Sequence, residues 1–131
     1  MYLYPIIATT AIPECKAFYQ KALDARVLFD SDWYLQLQVK DFELGFLRPN
    51  APGPLPVFQH PIPSRGLCLA LEVENVNAVF EDFRARGIEI LGKPAAFANG
   101  ETSFMVMDPA GVILSVVERA GRAVPTDLIA L

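Results

Sequence analysis

The chain has 131 residues, 53% hydrophobic and 20% charged, with a formal net charge of −4 and a pI near 4.9. That length makes one domain with a sizeable core, while 11 Lys and Arg scattered along an acidic chain argue against a nucleic-acid partner. No apolar run approaches the roughly 20 residues of a membrane span, so no membrane partner is expected either.

Two cysteines, Cys15 and Cys68, without metal or redox spacing and behind no secretory leader, lead us to expect a reduced, cytoplasmic protein. The apolar excess implies surface buried against a ligand or a second copy of the chain, so a homodimer is expected.

The opening "MYLYPIIATTA" reads as a short strand, and Pro13 suits the first turn of the helix that follows. In "PECKAFYQKALDA", Cys15, Phe18, Tyr19, Ala22 and Leu23 share one helical face. "RVLFD", "WYLQLQV" and "FELGFLR" then alternate as three strands, the first two joined by a turn at Ser31-Asp32. Six prolines between residues 49 and 63 preclude helix interior and central strand, and mark a linker. Beyond it, "LCLALEV" reads as a strand, Asn75 as the cap of the helix "VNAVFEDFRARG", and Gly87 as its left-handed stop. Val76, Val79, Phe80 and Phe83 supply the apolar stripe of that helix. "IEILG", "TSFMVM" and "GVILSVV" complete the set, the last two joined by the turn Asp108-Pro109-Ala110-Gly111.

The same order, βαβββ, occurs twice, which predicts an internal duplication. We therefore expect an α+β domain of two tandem βαβββ modules, about 1–48 and 64–118, with the linker at 49–63 and a tail at 119–131. Each sheet would carry a helix on one face, and the two free faces would pair into an open, barrel-like sheet with a concave inner cleft.

Several residues carry a resemblance to a known family: Phe18-Tyr19, Leu71-Glu72-Val73 before Asn75, Gly87-Ile88, Gly100 before Phe104, and above all Asp108-Pro109-Ala110-Gly111. Over about residues 1–118 the chain resembles the glyoxalase, bleomycin-resistance and extradiol-dioxygenase superfamily, also called the vicinal oxygen chelate fold. The resemblance implies a divalent metal held by four side chains, whose positions fall here at Tyr4, Gly45, Cys68 and Ser115. Those residues offer a phenol, nothing, a thiol and a hydroxyl, which is no credible donor set. Metal and other cofactors are accordingly expected to be absent. Glu118 lies three residues beyond Ser115 and, by the period of two, faces the other way.

Strand alternation sets Trp33, Leu35, Leu37, Val39, Phe42, Leu44 and Phe46 toward the helix, and Tyr34, Gln36, Gln38, Glu43 and Gly45 toward the inner face. With Tyr4, Cys68, Ser103, Met105 and Ser115, this mixed set is the expected ligand-binding surface, and Gly45 would leave space at its centre. Glu43 reads either as an amide-paired carboxylate or as an anion that meets a cationic ligand. Phe58 and His60, in the proline-rich linker, are lid candidates or plain surface residues.

The expected function is that of a metal-free protein that binds or sequesters an apolar or aromatic small molecule, cationic ones included. The alternatives are a metal-dependent glyoxalase-like lyase, isomerase or dioxygenase with an atypical site, a metal-free enzyme with Glu43 or His60 as base, and an interaction module with a filled face.

Overall fold

The computed structural model describes residues 1–49, 67–97 and 100–119. Within them the chain forms β1 Ile6–Ala8, α1 Ile12–Leu23, β2 Arg26–Asp30, β3 Tyr34–Val39 and β4 Phe42–Leu47. The order then repeats as β5 Cys68–Glu72, α2 Val76–Ala85, β6 Leu91–Ala96, β7 Thr102–Met107 and β8 Ile113–Glu118. The strands make two four-stranded sheets, ordered β1-β4-β3-β2 and β5-β8-β7-β6. In both, the strand before the helix lies parallel to the last strand of its set: β1 beside β4 and β5 beside β8. A parallel neighbour needs a long connection. The intervening helix and strands provide it, so the βαβββ order leads directly to this pairing.

The chain divides into two compact units, Met1–Leu67 with Met107–Val112, and Cys68–Val106 with Ile113–Leu131. In the first, α1 packs on β3. The helix buries Ile12, Cys15, Tyr19, Ala22 and Leu23, and the sheet contributes buried Leu35, Leu37, Val39, Leu44 and Phe46 from one face. The alternation of β3 and β4 predicted this set, and each such side chain contributes about 1.5–3 kcal/mol by leaving water. Tyr19 lies against Phe46, with ring centroids 5.6 Å apart.

Two members of the expected helix-facing set depart from it. Trp33 is 42% exposed and Phe42 67%. Trp33 lies just before β3 and Phe42 opens β4: alternation assigns a face, but what packs opposite decides burial.

The turn Met107–Val112 belongs to the first unit although it joins two strands of the second. Its Asp108 is 3% exposed and accepts from the Tyr19 hydroxyl at 2.6 Å. The other carboxylate oxygen accepts from the backbone N–H groups of Ala110 (2.8 Å) and Val112 (2.9 Å). Burial pushes the Asp108 carboxyl above the usual range, against the opposing pull of these donors. Burial also raises the Tyr19 phenol, with Asp108 adding to it, and pushes the Cys15 thiol up to about 12. Cys15 is thus an inert core residue.

In the second unit, Phe104 packs edge-on against Phe80 and Phe83 at 5.4 and 5.7 Å. Asn75 caps α2 as expected, its side chain accepting from Ala78 N–H at 3.0 Å. Glu118 adds a second acceptor at the same end, taking Val76 N–H at 2.9 Å. It faces the helix, consistent with the predicted alternation, and secures a donor that the helix cannot satisfy internally.

At the other end Gly87, with φ of 73°, lets its own N–H reach Arg84 O and Ile88 N–H reach Phe83 O. Ile88 becomes the buried apolar plug of that turn. For this reason the strand expected at "IEILG" begins only at Leu91. Likewise the first strand starts at Ile6 rather than in the opening residues, because Pro5 has no N–H to give a ladder.

Candidate functional site

On the face of the first sheet away from α1, the strand registers place Ile6, Gly45 and Gln36 in one row. Glu43 and Gln38 pair in the next, and Tyr34 pairs with Leu47 on the other side. Side chains on one face of adjacent strands lie within reach of their diagonal neighbours. Tyr34 uses that reach by leaning along the strand over Gly45.

A Cβ at Gly45 would come within 3.1 Å of both Tyr34 Cζ and Ile6 Cγ1, and closer still to the Tyr34 hydroxyl. Gly45 therefore does not leave open space, as the sequence suggested. Its missing side chain is the room in which the Tyr34 ring lies.

From there a line of polar groups crosses the face. The Tyr34 hydroxyl donates to Gln36 Oε1, and Gln36 Nε2 donates to Glu43 Oε1 at 2.9 Å. Gln36 is only 8% exposed, so both ends of its amide need these partners. Burial pushes the Tyr34 phenol up to about 12, with Tyr4 and Glu43 adding to the shift. Tyr34 is a neutral hydroxyl at any ordinary pH. Of the two readings of Glu43, the amide-paired one describes its Oε1.

Gln38 stands apart from this line and accepts from Arg26 Nη2 at 2.5 Å. Aromatic rings of the same unit lie near one another. Trp33 and Tyr34 lie 5.8 Å apart, Phe29 is 6.3 Å from Tyr34 and 6.4 Å from Trp33, and Tyr2 is 6.0 Å from Tyr4. Sequence reasoning did not single out Phe29 or Tyr2. The run "RVLFD" carries no signal that Phe29 would join this group; the β2–β3 register, which shifts between Val27 and Phe29, brings it there.

The helix-free face of the second sheet is plainer. Ser103 and Ser115 are buried on it, Met105 is half-exposed, and Cys68 is exposed at the start of β5. Cys68 pairs with Ile113, while Ser115 pairs with Ala70. Phe58 and His60 lie outside the described residues.

The positions that the resemblance gives to metal ligands do not fit a divalent ion in either unit. Gly45 has no donor and its space holds the phenol of Tyr34. Cys68 and Ser115 offer a thiol and a hydroxyl two rows apart. Among the described residues, no three His, Cys, Asp or Glu side chains gather as a metal centre requires.

A cleft of the first unit, about 610 Å³, opens beside the start of α1 among Ile12, Pro13, Lys16, Asp30, Asp32 and Arg48. Lys16 is already paired with Asp30 at 2.6 Å. With two cations and two carboxylates on its walls, this cleft favours no single sign of ligand. Among the described residues no helix is long and apolar enough to cross a membrane.

Comparison with known proteins places this geometry. The profile described as "Glyoxalase/Bleomycin resistance protein/Dioxygenase superfamily" matches residues 3–116. No curated protein is a significant match to the sequence. Among solved structures, a glyoxalase/bleomycin resistance protein/dioxygenase from Nocardioides superposes with a TM-score of 0.80 at 16% identity, over 95% of this chain and 87% of that one. A bleomycin-binding protein in complex with bleomycin gives 0.66 at 19% identity, over 91% and 98%. A lactoylglutathione lyase from Agrobacterium tumefaciens gives 0.69 at 16%, over 90% and 92%. At such identities these structures share the fold with the chain, and the activity has to be argued from its own residues.

Proposed function

Since the chain belongs to the glyoxalase/bleomycin resistance protein/dioxygenase superfamily, we propose that it is a small-molecule binding protein that sequesters an aromatic, cationic ligand without a metal. The observation that carries this reading is Gly45 beneath Tyr34. Where the family resemblance places a metal-ligating side chain, this chain has none, and a neutral phenol fills the space.

The ligand face is the helix-free side of the first sheet, with Tyr4, Tyr34, Gln36, Gln38 and Glu43 as its polar groups. The same reading gives Cys68, Ser103, Met105 and Ser115 the ligand-facing places on the second sheet. Aromatic rings at Phe29 and Tyr34 offer faces for stacking and for attraction of a cation. Glu43 supplies the negative charge. The bleomycin complex of a structural relative is in keeping with a ligand of this kind. The acting form is a homodimer, supported by the apolar excess of the sequence and by exposed Leu28, Phe29, Leu91 and Met107.

The experiment is to incubate the purified protein with zinc, nickel, manganese and iron, dialyse, and measure metal per chain. Retention far below stoichiometry is expected. About one tightly held ion per chain would overturn the metal-free reading and send the protein to assays on 2-oxoaldehydes, epoxides and catechols. A thermal-shift screen of aromatic amines then tests the ligand class, and sedimentation tests the dimer.

A further inference from the structure

We infer that the line Tyr34, Gln36, Glu43 is a one-way hydrogen-bond chain whose Tyr34 oxygen can only accept from a ligand, so that this end of the face selects a hydrogen-bond donor on an aromatic body. The inference rests on the binding reading above and sharpens it.

The direction follows from one end. A carboxylate accepts and cannot donate, so the contact from Gln36 to Glu43 at 2.9 Å requires the amide nitrogen of Gln36 to point at Glu43. The amide oxygen of Gln36 must then turn toward Tyr34, where it requires a donor. A phenol has a single proton, and that of Tyr34 is thereby committed to Gln36.

The phenol proton of Tyr34 and one amide proton of Gln36 thus point along the line to the carboxylate. What remains for a ligand at its two ends is the lone pairs of the Tyr34 oxygen and of Glu43 Oε2. An N–H of an indole, amide or ammonium group finds partners there. An ether, carbonyl or carboxylate oxygen finds no donor at those two oxygens. The line is half-buried at Tyr34 and Glu43 and buried in the middle at Gln36, so the ligand meets the acceptors without breaking the line. Gln36 is a positioning residue here, since it transmits the polarity of Glu43 to Tyr34 without touching the ligand.

Charge attraction to Glu43 would also favour cations, so the test uses a neutral matched pair, indole and benzofuran, which share shape and differ in an N–H against a ring oxygen. Binding of each to the full chain is followed by NMR titration. Indole is expected to bind more tightly by about fivefold, the weight of one neutral hydrogen bond. In Glu43→Gln the Gln36 amide is no longer held in one orientation, and in Tyr34→Phe the line is cut. The preference is expected to fall toward one in both. Equal affinity of the wild-type chain for the two probes would overturn the one-way inference and leave the binding face standing. Failure of both probes to bind up to their solubility limit would overturn the binding face together with it.

Discussion

The two units repeat one topology and are held together differently. In the first, the core contains a polar lock: Tyr19 and Asp108 are both buried and bonded to each other, and the backbone of Ala110 and Val112 completes the carboxylate. In the second, Phe80, Phe83 and Phe104 make an apolar cluster, and order at the helix ends comes from Asn75, Glu118 and Gly87. The helix-free faces diverge as well, with a hydrogen-bonded polar line on the first sheet and two buried serines beside methionine on the second. A repeated fold fixes where side chains point, while each copy chooses separately what to place there.

Substitutions can break this contrast in order of size. Phe83→Ala removes a side chain buried to 2% exposure from the aromatic cluster, and should cost about 3–5 kcal/mol in a denaturant titration. A loss under 1 kcal/mol, judged against the ~3–5 expected, would mean that the second unit does not depend on that cluster.

Asp108→Ala leaves the Tyr19 hydroxyl and two backbone N–H groups without their acceptor, and should cost about 3 kcal/mol. Tyr19→Phe orphans a single oxygen, and about 1–2 kcal/mol is expected by the same measurement.

The lock also carries a sign in pH. Because the folded-state pKa of Asp108 lies above the ordinary 3.8, the folded chain holds this proton more tightly than the unfolded chain does. The contribution is full below the unfolded pKa and is lost as pH rises through the raised folded value. Asp108→Asn cannot titrate, so the stability of the wild-type chain relative to this variant should improve on acidification through that window. A difference independent of pH would show that the carboxyl titrates as it does in the unfolded chain.

Asn75→Ala removes one of the two acceptors at the start of α2. With Glu118 still in place, a loss of about 1 kcal/mol or less is expected from thermal or chemical melting. The smallest change is chemical. A thiol reagent should modify one cysteine per folded chain, Cys68, and both after denaturation, because Cys15 is buried with its thiol pushed up to about 12.

Much of this was legible from local pattern. The βαβββ order, the faces of α1 and β3, the Asn75 cap and the stop at Gly87 depend on residues within a turn or two of one another, and period and side-chain chemistry suffice to read them. The candidate site was legible as a set of residues sharing a face, which alternation provides. It was not legible as a network, since nothing in the spacing says that Tyr34 leans over Gly45 or that Gln36 stands between a phenol and a carboxylate.

The remainder depended on groups far apart in the chain. Asp108 meets Tyr19 across 89 positions and Glu118 meets Val76 across 42, and no periodicity relates such pairs. Trp33 and Phe42 carry the pattern of core residues and stand exposed. Local sequence settles which conformation and which face a residue adopts. Burial and partnership are settled by whatever the folded chain brings opposite, since packing and desolvation act between elements rather than along them.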